Sequence, residues 1–215
     1  ESLLGDLIYT MNYTDVATYW IVPRAQWNKG QYATVENMKY VKEHLPFPWL
    51  MGHPDTGSEF INWVAKEWFE KEGIALTRSE PGKKNDNMCV EERNGHVVRK
   101  YLGYLRFDVP EIVQVMNDLY HELGLYLNHF MPVRRTIEKI RDGAKYKRTY
   151  EKVARTPYQR VMSHAAIPEE TKQWLSAEHE TLNPLLLKRK IDTLTNKIYS
   201  LQKANRGAEP SKEIQ

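Results

Sequence analysis

The order in which strand-like and helix-like periodicities follow one another constrains this chain most. "DLIYTMNYTD" alternates apolar and polar residues, which puts Leu7, Tyr9, Met11 and Tyr13 on one face of a strand. "VATYWIVPRAQ", rich in aromatic and β-branched residues, predicts a second strand next to it. "TVENMKYVKEHL" then switches to helical spacing at Val35, Met38, Val41 and Leu45, with Thr34 as a candidate cap and Pro46 and Pro48 as a stop. "WLMGH" reads as a short buried strand, and "SEFINWVAKEWFEKEG" as a helix capped by Ser58, with Phe60, Val64 and Trp68 on one face and Gly73 ending it. "IALTRS" is a further strand, "EPGKKND" a loop, and Asn87 to Leu105 a helix that turns Val90, Val97, Val98 and Tyr101 inward. Strands alternating with helices in this order predict an α/β domain with parallel pairings.

Pro110 opens another helix, "EIVQVMNDLYHELGLYLNHF", and beyond Pro132 the character changes to basic and poorly periodic. Between Arg134 and Arg160 ten Lys or Arg stand against three acids, a net +7 in a chain whose overall charge is only +3. Such clustering suits a polyanion, and it also suits a plain solvated surface. Asn183 and Pro184 form an N-cap and first-turn pair. The helix they start carries Leu187, Ile191, Leu194, Ile198 and Leu201 at heptad spacing, a seam for packing on the domain. We expect one domain over 1–131 and a basic segment with a helix over 132–215.

The chain shows no apolar run long enough to span a membrane and no leader pattern, so a cytoplasmic location without membrane contact is expected. The single cysteine, Cys89, excludes an internal disulfide framework and a cysteine-based zinc site. Cys89 reads as a packed small residue rather than a nucleophile. His121 and His129 lie two helical turns apart, about 12 Å, too far to share a metal. Trp49, Trp63 and Trp68 suit core packing better than base stacking.

The chemistry rests on two acids. Asp55 closes the "WLMGH" strand before Gly57 lets the chain turn, and Glu91 stands in the first turns of the helix two elements later, 35 residues intervening. Paired carboxylates of this kind can hold two divalent cations, which activate an attacking oxygen and stabilise a leaving one in phosphoryl transfer. Lys83 and Lys84 precede Glu91 on the same loop, where they could hold phosphates. An acid before a glycine turn and a Glu in a helix's first turns also have plain structural uses.

"HPDTGSEF" resembles the His-x-Asp-Asn-Gly-x-x-Phe block of the integrase-core (DDE) transposases, relatives of the retroviral integrases, and "RSEPGKKNDNMCVEERN" resembles their Pro-x-x-Lys-Asn-x-x-x-x-Glu block. "IYTMNYTDVATYW" is similar to their second strand and turn. "VVRKYLGYLRFD" and "LYLNHFMPVR" are similar to downstream segments of the bacterial insertion-sequence branch, so the likeness runs from about Gly5 to Arg160 in consistent order. It departs from the pattern at Thr56, where the block usually has Asn.

The resemblance implies a ribonuclease-H-like mixed sheet flanked by helices, with a basic and helical C-terminal extension. It implies a triad of Asp, Asp and Glu holding two Mg²⁺ or Mn²⁺ ions, with Asp55 second and Glu91 third. The first acid belongs on a strand before "DLIYTMNYTD", so the chain is expected to be truncated at its N-terminus. Without that ligand it should be inactive or severely impaired. Asp15 matches a non-catalytic position, and Asp6 lies too late for the first strand. The implied activity is DNA cleavage and strand transfer by a multimer on element ends and target, in the nucleoid of a bacterium. Arg134, Arg135, Lys145, Lys147 and Arg148 would meet phosphates. Two other readings remain: a non-catalytic DNA-binding remnant of the same fold, and a ribonuclease-H-like nuclease.

Overall fold

A computed structural model describes residues 6–54, 62–77, 95–143 and 145–208. The chain is mixed α/β. It opens with an antiparallel hairpin, β1 (Ile8–Thr14) and β2 (Ile21–Trp27), with Met11 opposite Arg24. Asp15 closes the hairpin turn by accepting hydrogen bonds from the Thr18 amide at 2.7 Å and hydroxyl at 2.6 Å. Tyr19 takes a φ of 63° to bring the chain back, with its ring buried.

Helix α1 (Gln31–His44) follows, then β3 (Met51–Gly52), α2 (Trp63–Lys71) and β4 (Ala75–Leu76). β3 and β4 pair in parallel, as the alternating pattern predicts, Met51 beside Ala75 and Gly52 beside Leu76. Gly73, at φ 67°, provides the left-handed residue that ends α2. A π turn over Gly95–Arg99 leads into the short α3 (Lys100–Leu102). The long α4 (Ile112–Phe130) comes next, then a second antiparallel hairpin, β5 (Thr136–Asp142) and β6 (Lys145–Tyr150). Three helices finish the chain: α5 (Pro157–Ser163), α6 (Glu169–Thr181) and α7 (Pro184–Ala208).

The first hairpin is sandwiched. Ile21 and Ala25 of β2 pack into a cluster with Ile112, Met116, Leu119 and Leu123 of α4 and with Ile191 and Ile198 of α7. Residues of the opposite parity, Trp20 and Val22, join Val41 of α1, Val161 of α5 and Leu175 of α6. A third cluster ties Val35 and Met38 of α1 to Ala65, Trp68 and Phe69 of α2. The period-two alternation of β2 thus distributes its side chains between two helical layers. The predicted leucine and isoleucine seam of α7 is used for packing on α4, as the spacing suggested. Its start is capped by Asn183, whose side-chain Oδ1 accepts from the Leu185 and Leu186 amides at 2.9 and 3.2 Å.

The outer edge of β2 is closed by a helix. Ile21, Pro23 and Ala25 turn their backbone polar groups away from β1. The Asn128 amide of α4 accepts from the Ile21 N–H at 3.0 Å and donates to its carbonyl at 2.9 Å. Asn117 does the same for Ala25, at 2.8 and 3.2 Å. Pro23, between them, has no N–H to satisfy, which is why proline is tolerated in this strand.

Several expectations need correction. One mixed sheet was expected; the described strands form three separate two-stranded sheets. Thr34 does not cap α1, which begins after Gly30; it is buried inside the helix and bonds to Gln26. Asn62 caps α2, accepting from the Ala65 amide at 2.9 Å, and the proposed cap Ser58 lies outside the described residues. Trp63 is 73% exposed rather than core, because it faces away from the α1 contact that Trp68 and Phe69 make. The segment after Pro132 is not poorly periodic: it folds as a hairpin, turning at Gly143 with φ 60°.

Candidate functional site

Asp55, Glu91, Lys83, Lys84 and Cys89 all lie outside the described residues, as does the start of the helix expected from Asn87. What the structure positions are the elements that carry them. The 55–61 segment follows β3, and 78–94 follows β4. Because β3 and β4 run parallel and in contact, the two segments leave the same, carboxyl end of the pair. That end of a parallel arrangement is where α/β folds place their ligands.

The frame around the pair is aromatic. Trp49 packs edge-on to Phe69 at 5.6 Å between ring centres and tilted to Trp68 at 5.8 Å. Gly52 lies against the Phe69 ring so closely that an added Cβ would stand 2.7 Å from it. His53, two residues before Asp55, bonds through Nδ1 to the Thr77 hydroxyl at 2.9 Å. It therefore ties the exit of β3 to the exit of β4, a structural use. Among the described residues no group of three His, Cys, Asp or Glu could hold a metal. Asp55 and Glu91 stand on the two exit segments, and carboxylate donors of this kind suit Mg²⁺ or Mn²⁺.

The basic stretch divides into anchoring and exposed parts. Glu151, just past β6, accepts from Arg135 Nε at 2.7 Å and from Arg160 of α5 at 2.6 Å. Arg160 also donates to the Val133 carbonyl at 2.7 Å, and Arg135 to the Ala17 carbonyl at 2.8 Å. Burial pushes the Glu151 carboxyl up, but hydrogen bonds from Arg135 and the charges of Arg160 and Arg135 hold it below its ordinary value. Arg160 is lowered by burial, with Glu151 opposing the shift. These two arginines root the second hairpin onto α5 and the first turn. Arg134, Lys147 and Arg148 are exposed, and Lys145 lies in β6.

The two histidines of α4 have separate fates. His121 is exposed, whereas the His129 side chain is buried, with Nδ1 3.1 Å from His179 Nδ1 of α6. Its Nε2 is 3.5 Å from Glu178 and lacks a hydrogen bond. Tyr158 stacks on both imidazoles, 5.2 Å from His129 and 4.3 Å from His179.

No family model matches the chain. It is 33% identical over 148 residues to the uncharacterized protein y4rM of Sinorhizobium fredii, a match covering 68% of this chain. The chain spans 42% of that relative's length. No helix among the described residues is long and apolar enough to cross a membrane.

Sequence reasoning missed Asn117, Asn128, Glu151 and His179. The only available signal was an asparagine pair eleven residues apart on an otherwise apolar helix face.

Proposed function

We propose that this chain is the ribonuclease-H-like catalytic part of a DDE-type transposase, acting on DNA by metal-dependent phosphodiester cleavage and strand transfer. The observation that carries the reading is the parallel β3–β4 pair, from whose shared carboxyl end the Asp55 and Glu91 segments depart. The element order supports it: an antiparallel hairpin, a helix, then two parallel strands joined by a helix. Among the described residues no strand pairs with the other edge of β1; the Ile8 amide on that edge donates to the Phe107 carbonyl at 2.9 Å, and the edge beyond Ile8 is left for a strand. The buried Asn12 amide and Thr14 hydroxyl beside that edge have no hydrogen-bond partner. A strand along β1 would bring a third carboxylate into the space between the hairpin and the parallel pair.

Asp55 and Glu91 would hold the two cations with that third acid. When bound, the ions polarise the scissile phosphate and its attacking oxygen. Lys83 and Lys84 would neutralise the phosphates alongside. A multimer on DNA, in the bacterial nucleoid, belongs to the same reading.

The test is a strand-transfer assay on the full-length protein with Mg²⁺ and element-end DNA, comparing wild type with Asp55→Asn and Glu91→Gln. Joined products from wild type and none from either variant support the reading. Persisting joining in a variant removes that residue from the site. Nicks without joining point to a nuclease, and binding without cleavage to a remnant of the fold.

A further inference from the structure

The second hairpin stands away from the body of the protein. Every residue from 137 to 150 whose side chain is described is exposed, including Ile137 at 65% and Ile140 at 52%. An isolated two-stranded hairpin is marginal in water, so a ribbon whose described side chains are all exposed invites a partner. Its root is held by Glu151, Arg135 and Arg160, so the ribbon is presented at a set place rather than left to hang.

The register sorts its side chains. Lys139 opposes Arg148 and Arg141 opposes Tyr146, so Arg141, Arg148 and Tyr150 share one face. Glu138, Ile140 and Lys147 alternate onto the other. The first face is cationic and aromatic, with no acid among its described residues. The second mixes signs. Arg141 Nε donates to the Gly143 carbonyl at 3.1 Å, which holds its guanidinium along the turn.

We propose that the β5–β6 ribbon docks in the major groove of duplex DNA with its Arg141 and Arg148 face toward the base edges. This deepens the DNA-acting reading above and rests on it. A two-stranded ribbon fits the B-form major groove, about 12 Å wide. Strands of this length run roughly 20 Å, enough to follow the groove across several base pairs. Arginine forks match the acceptor pair of guanine there. The A-form groove of duplex RNA is too deep and narrow for the same insertion. The negative potential of the groove complements the acid-free face.

Fluorescence anisotropy with the full chain and a 24-base-pair duplex tests this directly. Arg141→Ala and Arg148→Ala should each weaken binding at least tenfold, and the double variant further, while Lys147→Ala, which removes the same single charge from the reverse face, should weaken it less than threefold. Methyl green, a major-groove ligand, should displace the protein, and the minor-groove ligand netropsin should not. Duplex RNA of the same length should bind at least tenfold more weakly than DNA. Circular dichroism of each variant confirms that it is folded. Equal losses from the two faces, unchanged affinity of the double variant, displacement by netropsin alone, or equal affinity for RNA would each overturn the proposal. Its failure is separable from failure of the transposase reading. Unchanged DNA affinity in the double variant, with strand transfer intact, removes only the ribbon, whereas ribbon-dependent binding without strand transfer removes only the enzyme.

Discussion

Asn128 of α4 grips the backbone of Ile21 at both its polar groups, accepting from the amide at 3.0 Å and donating to the carbonyl at 2.9 Å. The side-chain amide stands in for a neighbouring strand. With Asn117 at Ala25, it turns a sheet edge into an interior helix contact.

Replacing Asn128 with Leu strands two buried backbone groups. Each unpaired group costs about 1–3 kcal/mol, so a loss near 3 kcal/mol is expected in urea unfolding. Asn117→Leu should cost a similar amount. The two sites are about 16 Å apart along the helix, so their effects should add. A double variant no worse than either single one would show that the edge frays as a unit.

Glu151 is the partner that lets Arg160 be buried: the Arg160 side chain is 6% exposed and the Glu151 side chain 19%. Removing one partner of a buried pair leaves an uncompensated charge, costing about 3–5 kcal/mol. Glu151→Ala should therefore destabilise the protein far more than Arg135→Ala, because Arg135 is 39% exposed and solvent screens its pairing. The Glu151 carboxyl is held below its unfolded value, so its contribution is present above that value and lost as pH falls through the folded one. Acid titration of stability in wild type and Glu151→Gln checks this: the variant should lose less stability on acidification.

His129 and His179 bond through facing Nδ1 atoms, which requires one to donate and the other to accept. Charging both would place two cations in contact. Burial and the neighbouring His129 lower the His179 pKa, while Glu180 opposes the shift. A histidine lowered on folding stabilises the protein above its unfolded value, about 6.5, and loses that contribution as pH drops toward the folded one. Glu178, at 3.5 Å from His129 Nε2, and Tyr158, stacked on both rings, face the pair. The melting temperature of wild type should fall between pH 7 and pH 5 more steeply than that of His179→Gln. Parallel curves would mean that His179 does not carry the effect.

Gly52→Ala tests the frame under the Asp55 segment. The new Cβ would stand 2.7 and 2.8 Å from two carbons of the Phe69 ring, so β3 or the ring must shift. Overpacking of this kind costs about 1–3 kcal/mol. Gly52→Ala/Phe69→Leu should recover part of that loss in thermal unfolding. On the proposed reading, strand transfer by the full-length protein should fall further than stability alone explains, because Asp55 follows the end of β3 by three residues.

Local features were readable in the residues. The β1 and β2 alternation, the Asn183 cap, the α7 seam and the parallel β3–β4 pair follow from periodicity and turn chemistry acting over a few residues. The hairpin at 136–150 was missed, because the high charge of its strands masked their alternation on either side of Asp142-Gly143. The candidate acids were found by spacing and resemblance, and the structure describes only the strands that lead to them.

What sequence alone determined, then, is the run of elements from β1 to β4 with the helices α4 and α7, because hydrogen-bond period and side-chain shape act locally. Which elements meet was decided by tertiary structure. Asn128 at Ile21, Glu151 between two arginines and His129 against His179 join residues 107, 16, 9 and 50 positions apart. Polar groups become costly only when burial removes water from them, and burial is a property of the assembled layers. No window of residues carries that information, so the interior polar contacts and the separation of the basic stretch into root and ribbon emerged only with the packed fold.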